Sequence, residues 1–258
     1  MDIYSFAPVA IVLDFAYSLV TAIASLFTPL AGSLSTALAI IAITMLVRTA
    51  LIPVGRSQVR AEFTRRRLAP KLQELQRRYK KKPELLQQKT MELYAAEKAS
   101  PLAGCFPTLL QAPVISTVYG LFILQGINGH PNGLLTEEVF GVPLGTPLLG
   151  FLSGEAWPGV LVYLALLAVI AVVAWLSRQA ARRIAPVTPE TVPPGMQNLT
   201  GILSWMPFLT VIFAAIVPLA ATLYLTVTTS WTLVERAVLR RRFEAKEDVS
   251  RPPTPLIE

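Results

Sequence analysis

The chain has 258 residues, of which 53% are hydrophobic and only 15% charged, and its net charge is +7. That much apolar surface with so little charge excludes an ordinary soluble domain and indicates a polytopic membrane protein. One cysteine, Cys105, and one histidine, His130, exclude a disulfide framework and any Cys/His metal spacing, so neither a metal nor another cofactor is expected.

The placement of the charge decides what the +7 means. Of the 23 Lys and Arg, thirteen fall in residues 55–105, three in 178–198 and six in 236–258, with Arg48 the remainder; residues 1–33 and 126–158 have none. This is the positive-inside pattern of a membrane protein, with the three basic segments cytoplasmic and the two lacking Lys and Arg external. A sequence-specific nucleic-acid partner is not indicated. The opening MDIYSF lacks the basic start of a signal peptide and the arginines of a transit peptide, so no cleaved leader is expected.

In chain order, residues 1–33 form an external N-terminal segment. Within it 6–28, FAPVAIVLDFAYSLVTAIASLFT, is apolar enough to span, but Asp14 falls near its middle and no basic residue flanks it. A helix lying in the outer interface fits better, because a true span would put every later segment on the wrong side.

Residues 34–54 form the first span. Arg48 sits fourteen residues past Leu34, about 21 Å along a helix crossing a core of about 30 Å, and no Asp or Glu lies in the span to neutralise it. Snorkelling to the headgroups is one reading. The next charge, Arg56, is about 12 Å further on, beyond comfortable reach, which favours an intramembrane polar site.

Residues 55–105 read as a cytoplasmic helical hairpin. Leu68, Leu72, Leu75 and Tyr79 recur at helical spacing, and Pro83 suits the first turn of a second helix carrying Leu86, Met91, Leu93 and Tyr94. The basic runs at 65–67 and 77–82 suit a solvated face touching anionic lipid, and would equally meet the RNA of a ribosome.

The second span, 106–125, carries Thr108 and Gln111 on one face; an external loop, 126–158, is rich in Gly and Pro and reads as irregular. The third span is 159–177 and a cytoplasmic loop 178–198 follows. The apolar stretch after it is long enough for two spans, 199–217 and 218–235, turning near Pro218, and 236–258 is a cytoplasmic basic tail. The last span carries Thr222, Thr226 and Thr229 with Tyr224, Thr228 and Ser230 alongside. Such hydroxyls commonly serve helix packing. Together with Thr44, one turn before Arg48, Thr108 and Gln111, they would also line one side of a hydrated cavity.

The stretch SPLAGCFPTLLQAPVISTVYGLF, Ser100 to Phe122, resembles the signature of the YidC/Oxa membrane protein insertases. A span ending TxxxR before a proline (Thr44, Arg48, Pro53), an LxPK in the hairpin (Leu68 to Lys71) and a last span opening PxxxxLY (Pro218 to Tyr224) extend the resemblance over essentially residues 10–240. It implies an all-α polytopic fold of five transmembrane helices around a hydrophilic groove, plus the cytoplasmic hairpin and the external interfacial helix. It also implies a bacterial plasma-membrane insertase and chaperone that hydrolyses nothing. Its partners would be nascent membrane proteins and the lipid bilayer, with the ribosome and the Sec translocon as further candidates.

By the same resemblance Arg48 attracts acidic residues of a client's external part, Thr44 and Gln111 extend the polar lining, and Tyr224 contacts the client. Leu225 stands where a second aromatic is common, and Thr228, Thr229 and Ser230 replace a common asparagine. Two other functions would use parts of this pattern. A small transporter or channel for an anionic solute would use Arg48 too, but 34–125 and 159–235 are not evidently related as inverted repeats would be. An intramembrane hydrolase needs paired carboxylates or a nucleophile with its base, and the spans hold no Asp or His and no Glu but Glu235 at the very end of the last.

Overall fold

The computed structural model describes residues 7–97, 99, 116–127, 129–152, 157–184 and 205–250. The described part is mostly helical: α1 (Ala7–Ala31), α2 (Ser35–Ala50), α3 (Ile52–Arg78), α4 (Pro83–Ala96), α5 (116–123), α6 (Leu148–Leu152), α7 (Trp157–Ile184), α8 (Met206–Ile216) and α9 (Leu219–Ser250). Two runs, Val9–Ala50 and Gly159–Arg182, are long and apolar enough to cross a membrane, and α8 is a shorter apolar helix. The chain divides into two compact units, one of residues 1–50 and 112–233, the other of 51–111 and 234–258.

In the first unit α1 and α2 are joined by a single 3-10 turn, Gly32–Leu34. Gly32 has φ +53° with open space around it, so backbone conformation rather than crowding favours glycine there. At about 100° per residue α1 has three faces. Leu13, Val20 and Ala24 are buried; Ile11, Phe15, Leu26 and Leu30 form an exposed apolar flank. Asp14, Ser18, Thr21, Ser25 and Thr28 make a polar stripe between them.

The segment 124–147 is more ordered than its Gly and Pro content suggests. Two antiparallel hairpins, β1 (Gly126–Ile127) with β2 (His130–Pro131) and β3 (Glu138–Val139) with β4 (Val142–Pro143), flank a 3-10 turn at Gly133–Leu135. Asn132, nearly fully buried, donates to the carbonyls of Leu121 and Leu124 and accepts from the amide of Leu134, capping α5. Leu134, Val139, Val142 and Leu144 insert into the same core as Leu13, Ile40, Phe122 and Tyr163. The turns are therefore held by apolar anchors that alternate with exposed residues, a pattern too short to stand out in sequence.

Two elements start at this segment. The turn before α2 packs on β3, and the first amides of α9, Leu219 and Ala220, donate to the carbonyls of Thr146 and Leu144. Asp14 also meets it, with His130 Nε2 3.7 Å from its carboxylate, and the Tyr17 ring lies 5.4 Å from the histidine.

In the second unit, Leu51 interrupts the helical path before α3, and Pro53 falls in the first turn of α3, where a missing N–H costs nothing. Pro83 opens α4 after the turn at Tyr79–Lys82. Arg67 and Lys71 on α3 both reach Glu97 just past α4. An open groove of about 500 Å³ lies between the helices, lined by Leu75 and Leu93 among others. Near the other end of α3, Glu62 accepts from Arg66 at 2.5 Å and from Arg240 at 3.0 Å, and Phe63 stacks at a tilt on Phe243. Leu239, Val59 and Leu68 are buried in this unit.

Candidate functional site

An arginine inside an apolar helix has to be compensated by something, and its surroundings indicate by what. Arg48, half-buried on α2, donates from Nε to the hydroxyl of Thr228 on α9 at 3.0 Å. Among the described residues no carboxylate lies within ion-pair distance of it. A hydrogen bond to a charged group contributes about 1.5–3 kcal/mol, against about 2.5–3.5 kcal/mol for placing arginine at a span's centre. Thr228 offsets part of that cost and leaves the positive charge unneutralised, with the outer nitrogens available to water or an anion.

Since α2 and α9 both begin at the 124–147 segment, they run in the same direction. Arg48 lies thirteen residues from Ser35, about 20 Å along α2, and Thr228 nine residues from Leu219, about 14 Å along α9. One turn back toward the segment from each partner stand Thr44 on α2 and Tyr224 on α9. The Arg48–Thr228 bond thus joins α2 and α9 at that level.

Thr44 is buried and its hydroxyl donates to the Ile40 carbonyl at 2.6 Å, which lets a polar side chain sit inside the apolar core with its donor satisfied. Tyr224 is half-buried against that core. Gln111 and Thr108 lie outside the described residues; of the other expected site residues, Arg48 meets the last helix at Thr228, Thr44 is buried one turn back on α2, and Tyr224 is half-buried one turn back on α9. Thr226 and Thr229 donate to backbone carbonyls of their own helix, and Thr232 donates to the carbonyl of Thr228. Among the described residues no group of three or more His, Cys, Asp and Glu could hold a metal.

A second polar cluster lies where α8 gives way to α9. The chain is extended at Val217, which releases backbone carbonyls from helical pairing. Tyr163 on α7 donates to the Val217 carbonyl, and Thr222 donates to the Ala214 carbonyl at 2.8 Å with its oxygen 3.0 Å from the Tyr163 hydroxyl. Both side chains are fully buried. Sequence reading placed Thr222 on the hydroxyl face but missed Tyr163, a single tyrosine in an apolar helix whose partner lies 54 residues away.

Comparison with known proteins bears on this arrangement. A family model described as the 60Kd inner membrane protein matches residues 26–247. The chain is 35% identical over 199 residues to the inner membrane ALBINO3-like protein 2, chloroplastic, of Chlamydomonas reinhardtii, covering 72% of this chain and 45% of that protein. It is 27% identical over 238 residues to the inner membrane protein ALBINO3, chloroplastic, of Arabidopsis thaliana, covering 85% and 49%. To the membrane protein insertase YidC of Zymomonas mobilis it is 30% identical over 188 residues, covering 71% and 30%. The chain therefore spans half or less of the length of these relatives. With apolar helices, an arginine on one of them bonded to a hydroxyl of another, and a family match over most of its length, the chain is a helical membrane protein that belongs to the 60Kd inner membrane protein family, the family of the YidC/Oxa insertases.

Proposed function

We propose that this protein inserts client transmembrane segments into the lipid bilayer, drawing a client's polar external part into a hydrated groove by the charge of Arg48. The observation that carries this is the Arg48–Thr228 contact, a fixed cation held by a neutral acceptor and left without a counter-ion among the described residues. Attraction for a client carboxylate is stronger in such a low-dielectric setting than in water. Thr44, Gln111 and Tyr224 extend the lining, and the client helix leaves sideways into lipid. No bond is broken and no nucleotide is consumed. Relatives named as membrane protein insertases support the same activity.

The proposed topology has five spans, an external N-terminus and a cytoplasmic C-terminus in a bacterial plasma membrane. The charge distribution supports it, as does the position of α1. Asp14 is seventeen residues from Ala31, about 25 Å along the helix, yet it meets the 124–147 segment that also caps α2 and α9. The polar stripe of α1 beside its apolar flank supports an interfacial α1 with the stripe in water and the flank in lipid. The α3–α4 hairpin is then cytoplasmic, where its basic surface would meet anionic lipid, a ribosome or the Sec translocon.

Depletion complementation tests the activity. The chain is expressed in bacteria lacking their own insertase, and translocation of a single-span client with a short acidic external tail is followed. Rescue by wild type and its loss in a stably expressed Arg48→Ala variant is the expected result. Failure of wild type in correct topology would overturn the proposal in favour of anionic-solute transport.

A further inference from the structure

His130 is the one side chain in the two segments without Lys or Arg that becomes a cation. Residues 1–33 and 126–158 set Asp2, Asp14, Glu137, Glu138 and Glu155 against His130 alone. In the structure that histidine faces a carboxylate. Its Nε2 lies 3.7 Å from Asp14 Oδ1 on α1, its Nδ1 lies 3.5 Å from the Pro131 carbonyl oxygen, and the Tyr17 ring is 5.4 Å away. Tyr17 itself rests on the same segment, since a Cβ at Gly133 would lie 3.2 Å from its hydroxyl.

Both ring nitrogens therefore face oxygens. A neutral imidazole has one N–H donor and one lone pair, so in either tautomer one nitrogen presents its lone pair to an oxygen. The imidazolium has two donors and meets both. The Tyr17 ring, at this distance, adds its attraction for a cation. Both nitrogen–oxygen distances exceed the ordinary N–H···O range of about 2.7–3.2 Å, so the contact has room to close when the second proton arrives. The imidazole and the carboxylate are each half-exposed, which gives bulk protons access to them. An ionised carboxylate accepts at several positions, so Asp14 faces His130 without giving up its other contacts.

We propose that His130 is a proton-operated latch: protonated, it draws the Asp14–Tyr17 part of α1 onto the β1–β2 hairpin, and neutral, it lets that part of α1 loosen. Among the described residues the titratable groups beside it are Asp14 and Tyr17 from α1. Its pairing strand β1 supplies none, Glu137 reaches toward Thr36 at 3.5 Å, and Glu138 is exposed on β3. Leu13, Val20 and Ala24 stay buried in the core, so the latch sets how tightly α1 sits and not whether it is docked. The proposed topology decides only which compartment's pH the latch reads, and the activity assigned to Arg48 does not enter.

The test is hydrogen exchange of the full chain in detergent, read by mass spectrometry over the peptide around Asp14 and Tyr17. It runs from about pH 8 to about pH 5, across the range in which histidine changes charge, and is corrected for intrinsic rate. The ring of the single histidine is followed by NMR in parallel. Exchange should slow about threefold as the ring gains its proton, the scale of a half-exposed ion pair. His130→Gln should remove that step and Asp14→Asn should shrink it. His130→Lys, whose charge does not titrate there, should hold exchange slow throughout. Wild-type exchange that stays flat while the ring titrates would overturn the latch, as would a step that persists in His130→Gln. Exchange in His130→Lys as fast as in His130→Gln would overturn its charge basis. Loss of the step in Glu137→Gln/Glu138→Gln would give the role to those carboxylates instead.

Discussion

Arg48 and Thr228 meet at 3.0 Å across 180 residues of sequence, a charged donor on α2 against a neutral acceptor on α9. A neutral acceptor orients the guanidinium without cancelling its charge, whereas a carboxylate there would occupy the place proposed for a client's acidic residue. Arg48→Ala should lower insertion of an acidic-tailed client about tenfold or more, equivalent to about 1.4 kcal/mol. Arg48→Lys should retain more activity because the positive charge survives. Equal losses in both variants, measured by protease protection of the client tail, would mean that guanidinium geometry and not charge is what matters.

The client side offers the complementary experiment. Replacing Asp and Glu in the client's external tail with Asn and Gln removes what Arg48 is proposed to attract. The difference between wild type and Arg48→Ala should shrink toward zero for the neutral client. An undiminished difference would count against charge attraction.

The Tyr163–Thr222 cluster should behave as a stability element. Removing either hydroxyl leaves a buried backbone carbonyl short of a donor, which costs about 1–3 kcal/mol. Tyr163→Phe and Thr222→Val should each lower the thermal unfolding midpoint in detergent. Because the Tyr163 and Thr222 hydroxyls lie in contact at 3.0 Å, the double variant should lose less than the sum of the two. Strict additivity would show that the two act independently.

Glu62 gives the second unit a pH dependence. Burial pushes its carboxyl up, but the hydrogen bonds from Arg66 and Arg240, reinforced by their charges, outweigh this and hold it below the ordinary value of 4.5. A carboxylate depressed in the folded state stabilises above its unfolded pKa and loses that contribution as pH falls through the lower, folded value. Hydrogen exchange in α3 near Phe63 should therefore slow little between pH 7 and 5 after correction for intrinsic rate, and accelerate below about pH 4.5. Glu62→Gln should remove the acid-dependent change. An unaltered profile in that variant would assign the effect elsewhere.

Parts of the fold were legible because membrane physics writes itself into composition. Long runs without charge, lysine and arginine confined to three segments, and one arginine inside a span are one-dimensional patterns, readable without knowing what packs on what. The segment 124–147 was not legible in the same way. Its strands are two residues long, and its order comes from Asn132 capping α5 and from side chains inserted into a core built by other helices. Propensity over so short a window carries almost no information.

The candidate site divides along the same line. Sequence alone established a membrane protein with an isolated charge at Arg48, a hydroxyl-rich last span and Thr44 one helical turn from the arginine, because hydropathy, charge and helical period are local properties. Only the tertiary structure decided that Thr228 rather than another hydroxyl accepts from Arg48, that Tyr163 closes the break at Val217, and that the Arg178 guanidinium lies over the Trp205 ring. Each of those depends on the rotation of one helix against another. That rotation is set by the summed packing of many side chains, and no single stretch of chain contains it.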